Sequence, residues 1–288
     1  MKPMSPQRQP LFIIGAPRSG NTLTRRVLMA SGQIYIPPET YVFGEILSRW
    51  PKWRNVSWRE KVWLACAYFD RHPHRDDMEI DSFSPLASML EDAPKEQQTI
   101  HNFYNKLYAF MANAHHFTTA RWGDKTPWNT TYLKEIVRAY PDAYYLYLKR
   151  DGLDVVASQV EAGMRDIHDS GQRWIDANAS CLKHLKKARI PPMTVTYEDL
   201  VREPEDVFRN IFKWADLVFE PDYLTRVPER LGDVGRHGHH AAVTRPITPA
   251  SIGLGHKNLS ESQRAELPVA FDTMMETLGY GKDDLARR

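Results

Sequence analysis

Cysteine is scarce in this chain: Cys66 and Cys181 are its two, far apart and with no metal-ligand spacing around either. That excludes a disulfide-stapled scaffold and leads to an expectation of buried thiols in a reducing compartment. Net charge is nearly absent too, because 38 basic and 36 acidic residues cancel to +2. Bulk charge therefore cannot hold a nucleic acid, no such partner is expected, and local charge must define any ligand site. Long apolar runs are missing. After the polar stretch MKPMSPQRQP, the apolar run Leu11 to Ile14 is too short for a signal-peptide core or a membrane span, so a cytoplasmic protein with no membrane span is expected. Internal repeats and low-complexity tracts are also lacking. His115, His116 and the run Arg236 to His240 have no carboxylate or cysteine at ligand spacing, so they read as solvated loops and no metal site is expected.

What is present centres on Leu11 to Ala30, LFIIGAPRSGNTLTRRVLMA. Leu11 to Ile14 reads as a buried strand, and Leu23, Val27 and Leu28 fall at helical spacing. The loop between them has the form G-x-x-x-x-G-N-T. Gly15 and Gly20 let successive N–H groups turn inward, and the helix that follows aims its positive end at the same point. An anion site is implied. A nucleoside-triphosphate loop carries Lys before the Thr, to reach the β- and γ-phosphates; here Asn21 stands there and the cation comes earlier, as Arg18. A guanidinium can fork two oxygens of a phosphate or sulfate without a metal ion.

Further along, Ile34 to Ile36 reads as a short strand stopped by Pro37 and Pro38, hence an edge or a loop, which leaves Glu39 at the mouth of the sheet if this segment neighbours the first strand. A helix is predicted to run on through Tyr41, Ile46 and Leu47. From 50 to 121 the composition shifts to Trp and His with helical patches, and Phe103, Leu107, Phe110, Met111 and Ala114 recur at three and four. Those positions read as core rather than ligand pocket; the stretch as a whole is read as a helical insertion covering the site, with its remaining aromatics the candidates for a wall. Strand and helix then alternate: a helix over 130–139, a strand over 144–148, a helix over 153–162 ended by Gly163, a helix over 170–187, a strand over 193–197 and a helix over 204–217. The expectation is one α/β domain over 1–288, with a central parallel sheet and the site at the carboxyl ends of its strands.

The stretch GAPRSGNTL resembles the 5′-phosphosulfate loop of sulfotransferases that use 3′-phosphoadenosine 5′-phosphosulfate (PAPS). PPET, with Glu39, resembles the general-base element of the tyrosylprotein and related bacterial types, and GDKTPWN, with Lys125, resembles their D-K-T-P element. KRDGLDVVAS resembles the 3′-phosphate motif at Arg150, Asp151, Asp154, Val155, Val156 and Ser158. VTYEDLVREP, with Tyr197, and PASIGLGHK, with Ser251, Gly253 and Lys257, resemble the family's two later elements. The resemblance implies a P-loop-like three-layer α/β/α fold. It implies Glu39, Lys125 and Arg18 as catalytic residues, and Arg18, Ser19, Gly20, Asn21, Thr22, Leu23, Arg150, Ser158, Tyr197, Ser251, Gly253 and Lys257 as the residues that bind PAPS. In this assignment Arg18 and Lys257 serve the 5′ end, while Arg150 and Ser158 serve the 3′ end. The acceptor would be a small molecule, glycan or peptide that presents a hydroxyl or amine. The competing reading of the same loop is a small-molecule kinase using ATP and Mg²⁺, which Asn21 in place of Lys disfavours; a third is a nucleotide-binding scaffold without catalysis.

Overall fold

The computed structural model describes residues 8–119, 121–228 and 246–281; the histidine-rich stretch at 236–240 lies outside them. At its centre is a parallel four-stranded sheet, β1 Leu11–Gly15, β2 Gly123–Asp124, β3 Tyr144–Lys149 and β4 Met193–Thr196, in the order β2-β1-β3-β4. All of β1 is buried, as expected of a parallel strand covered on both faces. Its Phe12 stands in register with Tyr145 of β3, and their rings stack at 5.4 Å. The arrangement is the expected α/β one, a three-layer P-loop-like fold.

Tyr35 makes a single parallel bridge with Trp122, so 34–36 continues the sheet beyond β2 for one residue before Pro37 removes the donor a ladder needs. This corrects the expected adjacency. β2 separates this segment from β1, and Glu39 reaches the strand ends from the far side of β2. β2 itself carries only Gly and Asp, a composition without strand propensity, and it forms because Gly123 admits Leu11 so closely that a Cβ would lie 2.7 Å from the Leu11 carbonyl oxygen.

Most helices fall close to their expected positions, while α4 and α9 have no counterpart among the expected helices: α1 Asn21–Ala30, α2 Phe43–Arg49, α3 Trp58–Arg71, α4 Ser84–Leu90, α5 Ile100–Ala114, α6 Leu133–Ala139, α7 Gly152–Glu161, α8 Ile167–His184, α9 Tyr197–Arg202 and α10 Pro204–Trp214. Two starts differ. The turn Pro127–Tyr132 is 3₁₀ and α6 begins only at Leu133, while α2 begins at Phe43 because Tyr41 is left-handed at φ 51°.

The insertion is helical as expected, with Ser57 closing a capping box on α3 and Thr99 capping α5. Its aromatics, however, do not form a ligand wall. Trp50 meets Trp53, Trp58 and Phe103 at centroid distances of 5.8, 6.2 and 6.3 Å, and the Trp58 indole donates to the Leu90 carbonyl. These rings seal α2 and the helical layer to each other, a packing role that suits their large apolar area. The buried face of α5 is Phe103, Tyr104, Leu107, Tyr108 and Met111, with Ala114 outside. His115 is buried rather than solvated: Nδ1 meets the Tyr35 hydroxyl at 2.8 Å and Nε2 the Met78 carbonyl at 2.8 Å.

Candidate active site

The loop from β1 to α1 owes its shape to two glycines with different duties. A Cβ on Gly15 would stand 2.3 Å from the Leu148 carbonyl oxygen, so no side chain fits between β1 and β3; Gly20 instead supplies a left-handed residue, φ 88°, as the N-cap of α1. Arg18 is also left-handed, at φ 67°, a strain of about 1 kcal/mol held by the surrounding loop. Asn21 donates from Nδ2 to the Ala16 carbonyl at 2.8 Å and so braces the loop from within. Pro17, Arg18, Gly20, Asn21, Thr22 and Leu23 all face a cavity of about 920 Å³ at the strand ends. Ser19, expected among the ligand contacts, is fully buried and outside that lining.

Arg18, Arg150 and Ser158 converge. Arg18 donates from Nε to the Ser158 hydroxyl at 2.9 Å, and Arg150 donates to the Arg18 carbonyl at 2.8 Å and to the Ser251 carbonyl at 2.8 Å. The Arg150 guanidinium lies on the ring of Tyr197, whose hydroxyl meets that of Ser251 at 2.6 Å. Burial, followed by the neighbouring charge of Arg150, holds the Arg18 pKa below its ordinary value. Two adjacent cations with a buried, unpartnered Arg150 Nε between loop and helix make a place where an oxyanion is favoured. The Arg18 side chain, expected to serve the 5′ end, extends along the loop to Ser158 of α7.

On the other side of Thr22 stands a second group. The Lys125 ammonium lies 2.7 Å from Glu39 Oε1 and 3.3 Å from the Thr22 hydroxyl, with the Lys125 side chain fully enclosed and that of Glu39 17% exposed. Their neighbour Asp124 sets this geometry. It is completely buried and accepts from Thr40 Oγ1 at 2.8 Å, the Tyr108 hydroxyl at 2.6 Å and Asn129 Nδ2 at 2.6 Å. The Thr40 N–H in turn donates to Thr126 Oγ1. Residues 39–40 and 125–126 are thus clasped on one carboxylate, whose pKa burial raises despite those hydrogen bonds.

The C-terminal segment closes over α7. Asp151 caps α7 by accepting from the N–H groups of Leu153 and Asp154, and Asp154 accepts from Gly253 at 2.8 Å and Gly255 at 2.7 Å. His256 Nε2 meets Asp151 Oδ2 at 2.9 Å, which raises the imidazole pKa above its usual value. Gly253 is left-handed at φ 77° and its N–H is already engaged by Asp154. Lys257, expected over the 5′ end, is exposed and outside the cavity lining.

Several lining residues had no motif to announce them: Tyr41, His74, Asp77, Met164, Arg165 and Arg173; Trp128 lies within GDKTPWN but is not singled out by it. Tyr41 stacks on His72 at 4.7 Å and on His74 at 5.0 Å, which brings the 72–77 turn of the insertion to the cavity beside Glu39. Nothing in residue order marked that approach, since a helix was expected through Tyr41 and its left-handed torsion emerges only in the fold.

A glycine-bracketed loop at the ends of parallel strands, a second guanidinium against it and a carboxylate–ammonium pair on the same cavity place the chain in the phosphate-loop α/β class. More specifically, the chain belongs to the sulfotransferase family, whose pattern residues 10–221 match. It is 26% identical over 286 residues to protein-tyrosine sulfotransferase A of Caenorhabditis elegans, covering 96% of this chain and 62% of that protein. A protein of Aquifex aeolicus is 26% identical over 268 residues, covering 89% of this chain and 30% of that one. The chain therefore spans less than two thirds of the length of these relatives. The sulfotransferase domain of the Synechococcus PCC 7002 olefin synthase has the same fold, with a TM-score of 0.63, 22% identity and 96% coverage of both chains.

Proposed function

We propose that this protein transfers a sulfonate group from PAPS to a hydroxyl or amine of an acceptor, with Glu39 as general base. The observation that carries the reading is the Lys125–Glu39 pair at 2.7 Å, set against Thr22 on the rim of the cradle. The donor's 3′-phosphate and phosphosulfate both need cationic or N–H partners. Arg150, Arg18 and Ser158 suit the phosphate, with the spare Arg150 Nε as a further donor. The N–H groups of Gly20 to Leu23, at the positive end of α1, suit the phosphosulfate. A cavity of about 920 Å³ is of the size that holds a nucleotide with a small partner.

The pair also gives an order of events. Lys125 leaves Glu39 for the sulfonate oxygens and the bridging oxygen when donor arrives, which frees the carboxylate to face the acceptor. The acceptor oxygen then forms its bond to sulfur while the bond from sulfur to the 5′-phosphate oxygen breaks. Glu39 takes the acceptor proton, and Lys125 with the Thr22 hydroxyl stabilises the charge growing on the departing oxygen. Transfer is tested by incubating the protein with isotopically labelled PAPS and an acceptor panel, reading the added sulfonate by mass spectrometry. Glu39→Ala is expected to abolish transfer while adenosine 3′,5′-bisphosphate still binds. Normal turnover in Glu39→Ala would remove Glu39 from the base role, and failure of the bisphosphate to bind in the presence of chelator would remove PAPS.

A further inference from the structure

Two arginines that line the cavity are used neither by the cradle nor by the Lys125–Glu39 pair. Arg165 follows the left-handed Gly163 just beyond α7, and Arg173 projects from α8. Arg173 Nη2 donates to the Pro127 carbonyl at 2.7 Å and to Thr130 Oγ1 at 2.6 Å, which fixes the guanidinium over the ring of Trp128 at 5.5 Å. Its Nε is buried without a partner. Arg165 spends Nη1 on Gln159 Oε1. Neither makes an ion pair with any described residue, although the cavity holds two acids. Glu39 is committed to Lys125, and Asp77 stands 3.8 Å from His74 on the opposite, insertion side. Burial first, and then the charge of Arg165, push the Arg173 pKa down to about 10, so the two cations feel each other. The Asp176 carboxylate on the same helix offsets this only in part, and like charges facing one cavity are relieved when a ligand brings the opposite charge.

Resting on the sulfotransfer reading, the geometry points to an anion subsite on the acceptor side: Arg165 and Arg173 take a carboxylate or similar oxyanion of the acceptor, set apart from the hydroxyl that Glu39 receives. Tyr41, braced by His72 and His74, and Trp128, beneath Arg173, also line the cavity and supply aromatic surface for the part of the acceptor between its two polar ends. A neutral acceptor of the same shape would leave the two guanidiniums with Asp176 as their partial counter-charge. The acceptor class is thus a hydroxylated, aryl-containing acid.

The probes are 3-(4-hydroxyphenyl)propionate and its methyl ester, titrated calorimetrically into the protein saturated with adenosine 3′,5′-bisphosphate. A charge-assisted hydrogen bond favours the acid by about tenfold or more over the ester. Arg165→Gln, with its fold checked by circular dichroism melting, is expected to bring the acid down to the affinity of the ester, and Arg165→Glu to reverse the preference towards tyramine. Equal affinity of acid and ester for the unmodified protein, no detectable acid binding, or an undiminished preference in Arg165→Gln overturns the subsite. Acid preference without sulfonate transfer from PAPS leaves the subsite standing and overturns the sulfotransfer reading instead.

Discussion

Arg150 lies over the ring of Tyr197, its guanidinium carbon 4.0 Å from the centroid. The stack holds the fork in place while its Nη1 and Nη2 bind the carbonyls of Arg18 and Ser251, so one aromatic ring keeps three separate chain segments aligned. Tyr197→Leu removes both the stack and the hydroxyl contact to Ser251. Bisphosphate affinity is expected to fall about tenfold or more, from a cation–π loss of roughly 1 kcal/mol and a hydrogen bond of roughly 1 kcal/mol. Tyr197→Phe keeps the stack and is expected to lose about fivefold. Isothermal titration of the two variants separates the contributions.

Lys125→Met removes the ammonium while preserving most of the enclosed side-chain volume. Turnover is expected to drop on the order of 10²–10³-fold, as on loss of one oxyanion donor. The loop contacts of Arg18 and Arg150 do not pass through Lys125, so the loss should fall on kcat more than on bisphosphate affinity. A single-turnover assay alongside a binding titration checks both halves.

Asp124→Ala leaves the Tyr108 hydroxyl, the Asn129 amide and the Thr40 hydroxyl without their shared acceptor in a site closed to water. The expected cost is about 3–5 kcal/mol of stability, read as a lower urea midpoint. Asp124→Asn, which keeps the shape and one carbonyl acceptor, should cost less.

His256 contributes a pH-dependent tie between the C-terminal segment and the cap of α7. Because its folded pKa lies above the ordinary 6.5, the contact contributes fully below pH 6.5 and is lost as pH rises through the raised value. His256→Gln should therefore narrow the difference in Tm between pH 6 and pH 9. Melting curves of both proteins across that range test it, and parallel pH profiles would assign the tie to other groups.

Gly255 sits so close to α7 that a Cβ would be 2.2 Å from the Leu153 carbonyl. Gly255→Ala must lift the segment that carries Ser251 away from Arg150. Weaker bisphosphate binding in a protein that still melts cooperatively is expected. Gly15→Ala, which drives a methyl into the β1–β3 pairing, should instead compromise folding itself, seen as loss of soluble protein.

Much of this was legible from residue order. The run Leu11 to Ile14, the bracketing glycines and Asn21 in place of lysine marked the sheet, the cradle and its departure from a triphosphate loop, because each is a local constraint on backbone or charge. Lys125 and Glu39 could be nominated separately, yet their meeting depends on β2, a two-residue strand of Gly and Asp that no propensity reveals. The turn of Arg18 towards Ser158 goes with its left-handed torsion, which composition does not encode. Trp50 and Trp58 misled for a plain reason: a tryptophan-rich helical stretch looks the same in sequence whether its rings seal a core or line a pocket. Arg165 and Arg173 carry no motif, and only folding brings them to the same wall.

One buried contact links the two halves of the chemistry. Arg25, on the inner face of α1, donates from Nε to the Ile36 carbonyl at 2.9 Å, and it is wholly shielded from water. The helix that opens at the cradle is therefore bolted to the segment that leads, past two prolines, to Glu39. Thermal movement of one carries the other with it, and the spacing between anion and base is kept by a girder rather than by the ligand.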